Sequence, residues 1–302
     1  MDTKNVIAAI ALSAAVIILY GLFFAPPVTN QNQIKDSDQN KKNLQVSEAP
    51  KIEQNIENNK ISRNEAINKV ERITFENENI KGSISLEGSL IDDLIFKKYT
   101  ETLDTEDKVV LLNPKESENG YYIETGWAIN NKDIDVPNSK TKWEVIGNKL
   151  LSPNSPVKLI WNNKQNITFE KEISIDDKFL FTVNQKITNN TQSTYNFYPY
   201  GQIIRNLAPD VTDFYILHEG LLGVFDDNLV EEDYDDIIDK KYSVNATKGW
   251  LGITDKYWIT SLIPESNKSF RSDFEYKNKF KANFIETDAC LLYTSDAADE
   301  WR

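Results

Sequence analysis

The chain has 302 residues and a formal net charge of −13, with one histidine and one cysteine. This acidic balance argues against nucleic acid as a partner and against docking on anionic lipid headgroups. A single cysteine, Cys290, excludes an intrachain disulfide, and with His218 as the one histidine the sequence offers no metal site of thiolates or paired imidazoles.

The N-terminal region contains an uncharged, apolar run at residues 6–25, twenty residues long. As a helix it would measure about 30 Å, the thickness of the hydrocarbon core of a bilayer. Phe23 and Pro26 are unfavourable for signal peptidase, so residues 1–27 are predicted to be a retained transmembrane signal-anchor. A cleaved signal peptide and a buried soluble helix are the alternatives. Lys4 and the free amino group favour a cytoplasmic N-terminus, with the rest outside, in the periplasm of a bacterium with two membranes.

A polar segment follows the anchor. Residues 28–60 are rich in Asn, Gln, Lys, Asp and Glu and lack an apolar period, which predicts a disordered tether. Residues 61–72 are predicted to form a short helix, with Ser62 as the N-cap and Glu65 at the spacing of a capping box. The folded domain is predicted to span residues 61–288.

From residue 73 onward, apolar and polar residues alternate in the manner of half-buried strands. The clearest case is a predicted hairpin of strands 167–175 and 179–188, joined by a turn at Asp176-Asp177. Lys171 interrupts the apolar parity of its first strand. The other predicted strands are 82–86, 93–99, 108–112, 121–125, 142–146, 157–161, 195–198, 211–217 and 258–263. Together they predict a large antiparallel all-β domain, most simply a β-sandwich.

The last residues of the chain, 289–302, differ in composition from the rest. They contain the single cysteine and shift towards Ala and Asp. The letters CLLYTSDAADE resemble translated sequencing-adapter read-through, so this segment is expected to be artefactual and is left out of the predicted domain. A genuine short acidic tail is the alternative.

Few residues suit catalysis. His218 beside Glu219 could act as a general base, but a hydrogen-bonded histidine at a strand end is favoured because no second histidine or phosphate-binding loop accompanies it. Asp92 and Asp93 form a carboxylate pair, yet consecutive strand residues point to opposite faces, so a turn before the next strand is favoured. We predict no catalytic, cofactor-binding or metal-binding residue and no cofactor.

An acidic run and an aromatic segment are the remaining candidates for binding. The run Glu231-Glu232-Asp233 and Asp235-Asp236 suggests calcium but lacks the glycine and terminal glutamate of an EF-hand loop, so a solvated face is favoured.

The aromatic segment is GWLGITDKYW at residues 249–258. Trp250, Tyr257 and Trp258 could form a platform on which a ligand stacks, but burial of these side chains in a sandwich core is favoured. Gly252 is expected to permit a bend or close packing next to Trp250.

Seven segments, taken in order, carry a resemblance to a known family. They are MDTKNVIAAIALS (1–13), GSISLEGSLIDDL (82–94), YYIETGW (121–127), SPVKLIWNN (155–163), YPYGQIIR (198–205), HEGLLGVFDDNLVEEDYDDI (218–237) and GWLGITDKYW (249–258). On these motifs the chain resembles the bacterial YidC membrane protein insertase family, in its first transmembrane segment and large periplasmic domain.

The resemblance implies both a fold and a function. The fold would be a β-supersandwich related to mutarotase-like folds. The function would be insertion of membrane proteins, alone or beside the Sec translocon, without a chemical reaction. The implied partners are the lipid bilayer, nascent membrane proteins and Sec translocon subunits, at the bacterial inner membrane.

The chain departs from the family after Phe24, because no second apolar run of about twenty residues follows. The family's later five-helix bundle is therefore missing, and this fragment by itself is expected to be incompetent for insertion. The domain is also expected to be incomplete at its C-terminal end, with an exposed sheet edge or apolar patch there. The alternatives are an anchored periplasmic carbohydrate-binding protein of mutarotase-like fold and a passive anchored spacer.

Overall fold

The alternating segments of the sequence form paired strands. A computed structural model describes residues 61–131, 133–209 and 218–292. Within these ranges lie nineteen strands and two short helices. The predicted all-β class is confirmed.

The largest sheet has eleven strands. These are β1 (Arg72–Glu76), β2 (Ile80–Ser85), β3 (Ile91–Thr100), β4 (Lys108–Leu112), β5 (Tyr121–Ile129), β7 (Leu150–Leu151), β11 (Tyr195–Arg205), β14 (Tyr242–Ala246), β17 (Phe270–Tyr276), β18 (Phe280–Glu286) and β19 (Cys290–Leu292). Their order is β14-β17-β18-β11-β5-β3-β2-β1-β7, with β4 beside β3 and β19 beside β11. β1 and β7 run parallel, and the central pairs, such as β5 with β11, run antiparallel.

Two further sheets have four strands each. The first contains β6 (Glu144–Ile146), β8 (Val157–Asn162), β9 (Ile167–Ile175) and β10 (Phe181–Asn189). The second contains β12 (Gly220–Phe225), β13 (Asn228–Asp233), β15 (Gly249–Thr254) and β16 (Ile259–Leu262). Their orders are β10-β9-β8-β6 and β13-β12-β15-β16, so β10 and β16 are outer strands.

Both smaller sheets pack against the same face of the large sheet. The register places Trp127, Ile203 and Phe274 on that face. The ring of Trp127 lies 5.2 Å from that of Phe169 in β9, and the ring of Phe274 lies 6.0 Å from that of Phe225 in β12. Burial of these large apolar side chains is the main source of stability for such a sandwich, and the predicted architecture is confirmed.

The predicted hairpin forms as β9 and β10, paired from Phe181 with Ile175 to Asn189 with Ile167. Alternate residues of β9 are buried, as the pattern predicts. The second strand begins two residues later than predicted. Phe179 lies in the connecting turn, where half of its surface is exposed.

The strand predicted at 108–112 appears as β4 with the same ends, and most others appear with shifted ends, as β2, β3, β5, β6, β8, β11 and β16. Strands β5 and β11 continue well past their predicted ends. The predicted strand at 211–217 lies outside the described residues. Gly252 lies in β15, where an added Cβ would come within 2.5 Å of the Thr260 carbonyl oxygen, so the expected close packing is present.

The interpretation of Asp92 and Asp93 as a turn is wrong. Both residues belong to β3 and are buried. The register between β2 and β3 shifts after Ser83, and this β-bulge brings both carboxylates into one polar cluster. Asp92 accepts a hydrogen bond from Arg72, and Asp93 accepts from Arg63 and Ser83. Pairing with the arginines offsets the cost of burying the carboxylates.

The predicted short helix is α1 (Arg63–Asn68), and its capping box is confirmed. The Ser62 N–H donates to the Glu65 carboxylate at 2.9 Å, and the Glu65 N–H donates to the Ser62 hydroxyl at 3.3 Å. A second short helix, α2 (Tyr234–Asp239), follows β13 and buries Tyr234 and Ile237.

Several predictions for the two ends of the chain fall outside the described residues. These include the anchor at 1–27 and the tether at 28–60. Within the described ranges, no helix has the length and apolar character needed to cross a membrane. At the other end, β19 draws the first residues of segment 289–302 into the large sheet, where Cys290 pairs with Phe197. The bounds of these segments stay predictions.

Candidate functional site

A groove lies over the large sheet, between the two smaller ones. One wall is β10 and the other is β16 with the residues that follow it. The floor consists of residues from β2, β3, β4, β5, β11 and β18. Its volume is about 1080 Å³, which is ample for an extended segment of peptide or a similar elongated molecule.

The rim of the groove carries apolar side chains that solvent reaches. Tyr257 is 73% exposed and Ile263 is 68% exposed. Leu180 and Ile259 are about half exposed as well. A contiguous apolar patch of this kind is characteristic of a binding surface. It lies close to β18, near the C-terminal end of the described residues, where the sequence predicts an apolar patch.

An aromatic cluster forms one end of the groove. The ring of Trp258 stacks on that of Phe96 at 4.3 Å and meets Tyr99 edge-on at 4.8 Å. Trp258 is half-buried and packs against the main core, whereas Tyr257 points into solvent. The favoured burial of the aromatic segment is therefore wrong for Tyr257. Trp250 pairs with Val224 within the sheet whose outer strand β16 forms the wall, and it does not belong to the groove lining in the described ranges.

Glu286 contributes a carboxyl group to the floor of the groove. Burial raises the pKa of this group to about 7, because the charged form loses hydration. The carboxylates of Glu265 and Asp288 raise it further, and the ammonium of Lys268 opposes the shift. Near neutral pH the group therefore exchanges between its charged and neutral forms.

Lys171 lies behind the groove, between β9 and β5, and is 1% exposed. The ammonium donates to the hydroxyl of Ser89 and to the carbonyl oxygen of Thr125, the latter at 2.6 Å. It also lies over the rings of Trp143 and Trp127, at 5.0 and 5.9 Å from their centroids. Lys171 therefore does not interrupt the buried face of β9 but belongs to it.

The electrostatics around Lys171 follow from this burial. Burial lowers the pKa of Lys171 to about 7, and the carboxylate of Glu124 opposes the shift. The Tyr200 hydroxyl donates to Glu124 at 2.7 Å, and burial raises the pKa of Tyr200 well above its usual range. This buried polar group supports the floor strands β5 and β11.

His218 has the structural role that the sequence favours. Its Nδ1 lies 3.1 Å from the Asp233 carboxylate, and its Nε2 lies 3.3 Å from the Leu221 carbonyl oxygen. Both ring nitrogens thus have partners within the sheet formed by β12 and β13. Glu219 lies beside His218 in sequence, immediately before β12.

The acidic run divides between an outer strand and a helix. Glu231, Glu232 and Asp233 belong to β13, and Asp235 and Asp236 belong to α2. In the part of the chain that the structure describes, no three or more His, Cys, Asp or Glu side chains gather in a way that could hold a metal ion. Charged residues on an outer strand discourage pairing with another chain.

Sequence reasoning singled out Tyr257 and Trp258 but missed the residues that face them. Phe179 and Leu180 line the opposite wall, and Glu286 lies on the floor. A signal for the first two was available, because apolar residues in a turn after Asp176-Asp177 are unusual. Nothing in the local pattern around Glu286 indicates that it faces a groove.

Comparison with known proteins finds a matching family model and similar proteins. A family model described as the YidC periplasmic domain matches residues 72–295. A membrane protein insertase YidC from Pelagibacter ubique (strain HTCC1062) is 51% identical over 301 residues, covering 99% of this chain and 53% of that protein. The protein of the same name from Rickettsia bellii (strain OSU 85-389) is 36% identical over 287 residues, covering 94% and 50%. The chain thus spans about half the length of these curated relatives.

One solved structure is a more distant match. A galactose mutarotase-like protein from Lactobacillus casei aligns with a TM-score of 0.45 and 13% sequence identity, covering 74% of this chain and 95% of that one.

Proposed function

The chain belongs to the YidC family, and from this premise we propose that it is the outer, membrane-anchored part of a membrane protein insertase. The observation that carries the proposal is the family match over residues 72–295. Insertion is assigned to the whole protein, of which this chain corresponds to about half the length of its curated relatives. No chemical reaction is assigned to it.

The proposed location follows from the sequence. Residues 1–27 would anchor the chain in the bacterial inner membrane with a cytoplasmic N-terminus. Residues 28–60 would tether the β-sandwich of residues 61–288 on the periplasmic side. Its acidic charge keeps the domain from adhering to anionic headgroups.

The proposed partners are nascent membrane proteins and subunits of the Sec translocon. A client must move polar segments across the bilayer and apolar ones into it, and each step has a desolvation cost. The groove between β10 and β16 supports a role for the outer domain, because it presents apolar side chains on the side of the membrane to which client segments emerge.

Depletion of the encoding gene tests this proposal. We expect insertion of a single-span client protein, measured by protease protection in intact cells, to fall on depletion and to recover when the complete gene is restored. Restoring residues 1–302 alone should leave insertion impaired. Normal insertion throughout depletion would contradict the proposal and would favour a passive spacer.

A further inference from the structure

The two walls of the groove are strands with a free edge. Among the described strands, β10 pairs with β9 and β16 pairs with β15, each on one side. Residues 181–185, at β10, and residues 259–263, at β16, line the groove, whereas β9 and β15 do not. The unpaired edge of each outer strand therefore faces the groove. Two sheet edges thus face each other across an apolar floor.

The hydrogen bonds that flank the β9–β10 ladder show which backbone groups are free. The Asp176 N–H donates to the Leu180 carbonyl, and the Asn190 N–H donates to the Asn166 carbonyl. Both bonds join even-numbered residues in the register. Bonded and non-bonded pairs alternate in an antiparallel ladder, so the odd-numbered residues of β10 direct their N–H and C=O groups into the groove. Those that line the groove are Phe181, Val183 and Gln185.

We propose that the groove binds an extended apolar peptide segment that carries a lysine or arginine, and that this segment pairs with β10 as an added strand. Main-chain hydrogen bonds to a free sheet edge supply affinity in this mode of recognition, and pockets for alternate side chains supply specificity. Side chains on one face of the added strand would contact Leu94, Phe96 and Phe284 of the floor. Those near the opposite wall would contact Ile259 and Ile263.

The charged side chains around the groove determine why the bound peptide should carry a basic residue. Glu286 lies on the floor and Glu265 on the rim. Asp288, Lys268 and the Cys290 thiol interact electrostatically with Glu286. The site thus has three carboxyl groups and one ammonium, so the carboxyl groups outnumber the positive charges. The whole chain is acidic too, with a net charge of −13. Glu286 is already mostly buried. An apolar occupant without a cation would remove its remaining contact with water, whereas a basic side chain would pair with it.

This inference goes beyond the proposed function, because peptide binding is measured on the chain itself and requires no insertion. The probe is a fluorescein-labelled peptide of nine residues, the length of β10, with alternating Val and Thr and a central Lys. The protein is the full chain in nanodiscs of phosphatidylcholine, and binding is followed by fluorescence anisotropy. We expect saturable binding.

Two matched peptides separate strand pairing from simple apolar contact. The first carries N-methyl groups on alternate residues, which remove N–H donors and leave the side chains unchanged. The second replaces the central Lys with Glu. We expect each to bind about tenfold more weakly, or worse, which corresponds to the loss of about 1.4 kcal/mol. Equal affinity for the parent and N-methylated peptides, or absence of saturable binding, would overturn the proposal.

Variants of the chain test whether the peptide binds in the groove. Val183→Pro removes an N–H that faces the groove and leaves the ladder to β9 intact. Because the Val183 side chain packs against the core, the matched variant is Val183→Ala, which loses core contacts but keeps the N–H. Val183→Pro should weaken binding more than Val183→Ala does. Ile263→Ser should weaken binding too. Leu229→Ser, at a site 58% exposed on β13, is the matched control and should not.

The charge contribution has its own variant. Glu286→Gln should reduce the difference in affinity between the Lys and Glu peptides, because the carboxyl groups of Glu265 and Asp288 remain at the site. Three outcomes would each overturn the proposal. They are an undiminished preference for Lys in Glu286→Gln, equal loss of binding in Leu229→Ser and Ile263→Ser, and a concentration-dependent dimer of the free chain that the peptide does not dissociate.

Discussion

The buried side chain of Lys171 should make the stability of the protein depend on pH above neutrality. Its ammonium is enclosed by Trp127, Trp143 and two oxygen acceptors rather than by water. Burial lowers the pKa of Lys171 from 10.5 in the unfolded chain to about 7 in the folded one. Folding therefore favours the neutral amine over the charged form.

Replacing this lysine tests the assignment. Between pH 7 and pH 10.5 the unfolded chain binds more protons at Lys171 than the folded chain does, so the free energy of unfolding rises with pH. From about pH 7 to about pH 9 we expect a rise of roughly 1–2 kcal/mol. Lys171→Met should abolish it. The measurement is the urea midpoint of unfolding at both pH values.

Lys186→Met provides the control, because Lys186 lies on the adjacent strand β10 and is exposed. This variant should keep the pH dependence of the parent chain. If Lys171→Met showed the same rise as the parent between the two pH values, the buried amine would not be its source.

Lys171 also shows what a local pattern leaves out at the residue level. The alternation of apolar and polar residues in β9 places Lys171 on the buried face. From sequence alone, a charged residue at a core position suggests that the pattern is interrupted there. The acceptors that make burial tolerable come from Ser89 and Thr125, far away in sequence. Asp92 and Asp93 follow the same logic, because their arginine partners lie on other elements.

At the level of elements, one ion pair joins the large sheet to a smaller one. Arg205 ends β11, and Asp255 follows β15. The two form a salt bridge that is mostly buried, and the guanidinium lies 4.8 Å from the centroid of the Tyr121 ring and 3.2 Å from the Tyr234 hydroxyl. This contact fixes the end of β11 next to the turn that leads into β16.

Breaking that pair should be costly. Arg205→Met leaves the Asp255 carboxylate without its partner in a largely buried setting, and we expect a loss of about 2–4 kcal/mol in the free energy of unfolding. Lys248→Met breaks the exposed pair with Asp227, in turns of the same smaller sheet, and should cost far less, because solvent screens an exposed pair. Chemical denaturation of both variants compares them. Equal losses would mean that burial does not govern the strength of these pairs.

The strands differ in how far sequence alone predicts them, and burial explains the difference. β9 has one face in the core and one partly solvated, so its alternation is visible. β18 is buried on both faces, with Lys281 and Glu286 among its buried residues. Its sequence, FKANFIE, consequently shows no clean alternation, and it was not predicted. β7, with two residues, is too short to leave a pattern.

At the level of the whole molecule, the groove depends on the order of strands rather than on any motif. β10 ends at Asn189 and β16 begins at Ile259, and they face each other because both smaller sheets pack on one face of the large sheet. Local periodicity predicts each strand but not which edges remain free. The class of fold is therefore predictable from sequence, whereas of the groove only single residues such as Tyr257 and Trp258 are.

The single cysteine reports on which side of the membrane the domain lies. Cys290 is exposed, and partial burial raises the pKa of its thiol. A membrane-impermeant maleimide added to intact spheroplasts should label Cys290, faster at about pH 8.5 than at about pH 7, because the thiolate is the reactive form. In a Cys290→Ser, Thr3→Cys double variant, labelling should require lysis, since residue 3 lies on the N-terminal side of the apolar run at residues 6–25. Labelling of position 3 in intact spheroplasts would contradict a cytoplasmic N-terminus. Labelling of Cys290 only after lysis would contradict a periplasmic domain.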